Sequence, residues 1–272
     1  MRRLCKKRFI PKCLHTTLLS IHKKKLSNKK VIYLNQKLTL SSSDALLVTD
    51  MQIDFLSGGA LPVANADELI PVINSYIKRF ESIAHIIASR DWHPLNHMSF
   101  KPQGGPWSPH CVQNTAGAKF TPDLKLPSET LVISKASDPK REAYSVFDGT
   151  PLEEELRKMD VKRLFVAGVA TDYCVVNTVL DARKLGLETF VLMDATLGID
   201  VKPGDVDRAV DVIVKSGAQQ ATTADFQTDE EKLPLGEELP ETLAEKVLER
   251  ADRKQHAKLR PKGANKRIPR ER

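Results

Sequence analysis

Apolar positions along the chain fall into two alternating rhythms. Short, nearly continuous apolar runs at residues 45–48, 83–89, 130–134, 163–168, 189–193 and 218–222 have the length of buried strands. Between them the spacing changes to three and four. In residues 67–80, Leu69, Ile70, Ile73, Ile77 and Phe80 share one helical face. Residues 151–159 predict a second helix, with Thr150 as its cap and Pro151 at its first position. Residues 174–185 and 203–216 predict two more. Strand and helix alternating in this way call for an α/β fold: an open, mostly parallel sheet of about six strands with helices on both faces. Residues 92–128 break the rhythm. Six prolines lie among them, so they read as one long, functional loop.

The pattern fades at both ends, which sets the expected organisation. Residues 1–43 are a basic extension, residues 44–228 the folded domain, and residues 229–272 an acidic linker followed by a basic tail. Within that last segment, residues 243–250 have weak helical character. The chain of 272 residues is 41% apolar and 28% charged, ordinary for a globular protein. Its net charge of +7 is misleading. The two tails, residues 1–43 and 250–272, carry +12 and +8, which leaves −13 on residues 44–249. The basic balance therefore belongs to the tails, and it does not make the domain a nucleic-acid-binding fold.

Residues 1–43 hold no acid and resemble an organelle transit peptide; the plainer alternative is a disordered basic extension. The C-terminal run from Lys266 reads as a solvated tail, with nuclear import or binding to nucleic acid or an anionic surface as the sharper alternative. The expected location is intracellular, cytoplasmic by default, with mitochondrion and nucleus open. Four cysteines, Cys5, Cys13, Cys111 and Cys174, are too few for a disulfide framework and fit a reducing compartment. No apolar run approaches the roughly 18 residues of a membrane span. Homo-oligomer formation stays open.

Candidate chemistry follows from where the strands end. Ligands of open parallel sheets bind beyond the carboxyl ends of the strands. Asp50 ends the first predicted strand, Asp91 the second and Lys135 the third, and Cys174 opens the helix after the fourth. Cys174 is the natural nucleophile, its thiol expected to be acidified by a helix start and by a nearby ammonium. Asp50 could take the thiol proton and return it to a leaving amine, with Lys135 bridging the two. The segment 168–171 could aim backbone N–H groups at a developing oxyanion. Each residue alone is more often a packing cysteine or a capping aspartate; the combination carries the reading.

A second constellation lies in the long loop. Asp91 and His93 are two apart on an extended segment, so their side chains share a side. With His110 they would form a carboxylate and two-imidazole site suited to one divalent ion, Zn²⁺, Mn²⁺ or Fe²⁺. A surface cluster is the bland alternative. Cys111 reads as structural.

The segments 50–55, 91–97, 109–112, 134–135 and 168–175 together resemble the nicotinamidase branch of the isochorismatase-like hydrolases, over roughly residues 45–226. The resemblance implies Cys174 as nucleophile, Asp50 as general base and then acid, and Lys135 as third member. It also implies an oxyanion hole from the N–H groups of Ala170 and Cys174, beside a cis peptide between Val169 and Ala170. Asp91, His93 and His110 would bind a metal that orients a pyridine ring, zinc first among the candidates. His97 matches a position that ligates in some members and lies nearby in others. Phe55, Leu61, Trp107 and Tyr144 would wall an aromatic slot. The implied reaction is hydrolysis of nicotinamide to nicotinate and ammonia through a thioester, feeding NAD salvage. A sister amidase of the same family is the alternative enzyme, and a tail-mediated polyanion-binding protein the alternative outside enzymes.

Overall fold

The structure, a computed structural model, describes residues 37–227. Most of the basic extension, with Cys5 and Cys13, and the tail with its helical segment at 243–250 lie outside the described residues. Six strands form one parallel sheet: β1 Asp44–Thr49, β2 His85–Asp91, β3 Leu131–Lys135, β4 Arg163–Val169, β5 Glu188–Leu197 and β6 Gln219–Ala221. Their order is β3-β2-β1-β4-β5-β6. Strand order reverses at β1, so the crevice between the carboxyl ends of β1 and β4 is the switch point where such sheets place their ligands.

Both faces of the sheet are apolar, and alternate residues of each strand go to opposite sides. Leu46 and Val48 of β1, Phe165 of β4 and Phe190 of β5 face α1, Leu69–Phe80. Ala45, Leu47, Val166 and Val191 face α2 Leu152–Lys158, α3 Val176–Lys184 and α4 Asp205–Lys215. Phe80 meets Phe165 edge-on at 5.1 Å, and Phe165 stacks on Phe190 at 4.7 Å. The expected helices on both faces are present.

Local differences have simple causes. The first predicted helix begins as a tight turn, Ala66–Glu68, entered through Asn65 in the left-handed region. Helix α2 starts at Leu152, with Pro151 as its cap residue, and Thr150 receives the Leu152 N–H from one position further out at 3.3 Å. Asp44, one residue before the predicted run 45–48, lies inside β1 and is fully buried; Arg163 neutralises it through Nε at 2.6 Å. Strand β5 runs to Leu197, past its apolar stretch, and a register shift lets it follow β4 to its end. Leu38 bridges Phe226, which ties the chain before β1 to the chain after β6. Gly168 (φ 104) permits the closest approach at the switch point, since a Cβ there would sit 2.0 Å from the Thr49 carbonyl oxygen.

Candidate active site and metal corner

Asp50, Asp91, Lys135 and Cys174 meet at the switch-point crevice. Asp50 follows the last residue of β1 and takes a left-handed backbone (φ 52), which turns the chain sharply off the sheet. Asp91 and Lys135 are register partners at the ends of β2 and β3. Cys174 lies in a π-helical turn, Thr171–Val175, that leads from β4 into α3. All four are buried. Lys135 Nζ is the hub. It lies 3.0 Å from Asp50 Oδ2 and 3.3 Å from Cys174 Sγ, and it donates a short hydrogen bond to Asp91 Oδ1. Carboxylate oxygens of Asp50 and Asp91 and the thiol sulfur lie within 4.8 Å of one another. The ammonium at their centre is the cation that cluster holds. Ser89 Oγ donates to Asp50 Oδ1 at 2.7 Å and fixes that carboxylate.

Electrostatics correct one expectation. The thiol of Cys174 is not acidified. Burial pushes it well up, the Asp50 and Asp91 carboxylates push the same way, and Lys135 opposes them without prevailing. Cys174 lies in the π-helical turn that precedes α3. Burial also raises Asp50 above the usual carboxylate range, against the pull of Lys135. Burial works against the Asp91 charge too, yet Lys135, His93 and His110 hold its carboxyl far below that range. Burial disfavours the Lys135 charge, but Asp50 and Asp91 outweigh it, and the ammonium persists.

The second oxygen of Asp91 faces the histidines. Oδ2 lies 3.6 Å from His93 Nε2 and 3.9 Å from His110 Nε2. One ligand atom from each of the three falls within 4.8 Å of the others. His110 Nδ1 donates to the Ser108 carbonyl at 2.8 Å, so its Nε2 keeps a free lone pair. Burial lowers the His110 pKa and keeps the ring neutral, as a ligand must be. His93 Nδ1 is buried without a hydrogen-bond partner, a cost that a polar cluster made only for the fold would not leave standing. A carboxylate and two imidazoles suit a divalent metal ion, and these residues fit one. His97, left open by the sequence, has both ring nitrogens engaged: Nε2 with the Arg141 carbonyl at 3.0 Å and Nδ1 with Ser99 Oγ at 2.7 Å. Its ring packs 4.4 Å from that of His93, so it supports a ligand and does not act as one here.

A pocket of about 380 Å³, counted to its open mouth, joins the two clusters. Phe55, Leu61, Trp107 and Tyr144 all line it, as the sequence suggested, together with Ala170 and Cys174. The Val169–Ala170 peptide is cis. Trp107 Nε1 donates to the Tyr144 hydroxyl at 3.0 Å, which closes one aromatic wall. The structure adds Tyr173, Glu142 and Ile199 to the lining.

Sequence reasoning missed the residues that hold the loop. Gln52 pairs its side-chain amide with the Asp91 backbone in both directions at 2.8 Å and also donates to the Ala118 carbonyl at 2.9 Å. Asp54 accepts the Cys111 N–H at 2.7 Å and the Ala60 N–H at 3.2 Å. A Cβ at Gly117 would fall 2.1 Å from the Asp54 carboxylate, so that glycine makes room for it. Asp172 caps the Ile199 and Asp200 N–H groups at 3.0 and 2.8 Å, which fixes the Ile199 wall. The available signal was polar residues at alternate positions, 50, 52 and 54, directly after an apolar strand.

Fold and pocket chemistry define the class as a parallel α/β hydrolase. The Isochorismatase domain family matches residues 44–225, and the chain belongs to that family. Nicotinamidase of Escherichia coli is 38% identical over 205 residues, covering 67% of this chain and 96% of its own. The pyrazinamidase of Pyrococcus horikoshii, solved in complex with zinc, is 51% identical with a TM-score of 0.64, covering 66% of this chain and 99% of its own. PnC1 from L. infantum, solved with nicotinate, is 34% identical with a TM-score of 0.66, covering 70% and 98%. Among the described residues no helix is long and apolar enough to cross a membrane.

Proposed function

We propose that this chain is a metal-dependent nicotinamidase that hydrolyses nicotinamide to nicotinate and ammonia, with zinc as its ion. The observation that carries the reading is the Lys135 hub, 3.3 Å from Cys174 Sγ and 3.0 Å from Asp50, whose Cys174 opens into the same pocket as the Asp91, His93 and His110 corner. Support for the substrate and for zinc comes from the relatives, one of which holds nicotinate and another zinc.

Burial raises the thiol, so its proton has to be taken by a base before or as sulfur attacks. As sulfur bonds to the carboxamide carbon, Asp50 takes its proton; a carboxyl whose pKa is raised by burial is the better base for that task. The N–H groups of Ala170 and Cys174 are assigned to the oxyanion. Asp50 then returns the proton to the amine, ammonia leaves, and a thioester joins the nicotinoyl group to Cys174. Water, deprotonated by Asp50, attacks the thioester; the acid departs and the thiol is restored. Lys135 stays charged throughout and stabilises whichever of Asp50 and the sulfur carries the negative charge. Asp91, His93 and His110 would hold a divalent ion, which would supply a Lewis-acid contact for the pyridine nitrogen. Phe55, Leu61, Trp107 and Tyr144 sandwich the ring and exclude water.

The test is ammonia release from nicotinamide by the full-length, zinc-loaded protein, beside Cys174→Ala and a chelated sample. Release that disappears in both controls is expected. Release that survives chelation would overturn the metal role and favour a sister amidase, and no release from folded, loaded protein would overturn the substrate.

A further inference from the structure

Glu142 lines the pocket beside His93, Ser99, Trp107 and Tyr144, and the reaction above gives it nothing to do. It is half-buried, and its Oε1 accepts the Ala143 N–H at 3.0 Å. Among the described residues no cation pairs with it. The neighbouring Arg141 turns to Asp148 instead. Of the lining residues only Asp91 and Glu142 bear carboxylates, and Asp91 is already held by Lys135. Glu142 is therefore a carboxylate with no cationic partner among the described residues, set in the wall of the pocket beside Trp107 and Tyr144.

We propose that Glu142 is a specificity-determining residue that separates the neutral carboxamide substrate from its carboxylate product. This rests on the nicotinamidase reading. With a divalent ion bound, Lys135 and the ion bring three positive charges, against at most two negative charges from Asp50 and Asp91. Without Glu142 such a pocket has a net positive charge and would retain the anion it makes. Glu142 lowers that excess by one charge. A neutral amide has no net charge for that balance to act on, so the substrate is little affected and the product is released more readily.

The test compares nicotinate and nicotinamide affinities by calorimetry, using zinc-loaded Cys174→Ala protein with and without Glu142→Gln, at low and high salt. Turnover by the native protein is measured alongside. The expected result is that Glu142→Gln tightens nicotinate about five-fold relative to nicotinamide. The difference should shrink as salt screens it, and Glu142→Asp should restore the native ratio. An unchanged ratio, with both ligands shifting together or neither shifting, would overturn the inference while native turnover stands. No turnover and no nicotinamide binding by the native protein would instead overturn the nicotinamidase reading, and this inference with it.

Discussion

The two clusters sharing Asp91 are built by different means. The Cys174, Asp50 and Lys135 side is assembled by regular structure: Lys135 ends β3, Asp50 follows β1, and Cys174 sits in the helical turn that leads from β4 into α3. The metal corner takes only Asp91 from a strand. His93 and His110 stand on a long loop held by side chains bonded to backbone, chiefly Gln52 and Asp54, and by the short pairing of His93 with Val112. One half of the site is fixed by the sheet, the other by a few polar residues whose loss the sheet cannot repair.

Substitutions can break that contrast in graded steps. Cys174→Ala and Asp50→Asn should each lower kcat more than about a thousand-fold in steady-state assays, with zinc content by metal analysis unchanged. The opposite signature is expected for Asp54→Asn. Weakening its hold on the Cys111 N–H should lower zinc affinity about ten-fold in chelator competition, because His110 loses its support. Gln52→Ala touches both halves. It strands buried backbone groups at Asp91 and Ala118 and should cost about 2–3 kcal/mol, a fall in Tm of about 5–10 °C by calorimetry.

Proton chemistry sharpens the same comparison. Burial raises Asp50, and the base must be ionised to act, so kcat/KM should rise with pH through a limb above the usual carboxylate range. A limb at the ordinary aspartate value would contradict the burial argument. The smallest effect belongs to a control far from both clusters. Arg157→Ala removes an exposed pair with Glu153 on α2 and should leave kcat and Tm unchanged within error.

The strand-built half was legible in the sequence for the reason that it is strand-built. An apolar run fixes where a parallel strand stops, and the residue after the stop faces the crevice, as Asp50 and Lys135 do. The candidate metal ligands were legible through the chemistry of Asp91, His93 and His110, although nothing in their spacing dictates the loop that joins them. The alternation at Gln52 and Asp54 marks polar positions but not the distant backbone they bond, and Asp172 leaves no periodic trace at all. Glu142 escaped for a related reason: its partner is the pocket itself. The thiol was misjudged because burial, which depends on the whole fold, outweighs the nearby ammonium that sequence can suggest.

The place of β4 also orders events in time. Strand β1 lies mid-sheet with β4 along one side, although β2 and β3 come between them in the chain. During synthesis Asp50, Asp91 and Lys135 all emerge before the sulfur that will stand among them. That sulfur stands at the centre only once β4 is paired with β1, over the register from Asp44–Arg163 to Thr49–Gly168. Contacts so distant along the chain form late. A half-made chain therefore has its charges in hand but no means of attack, and reactivity begins with the last stitch of the central seam.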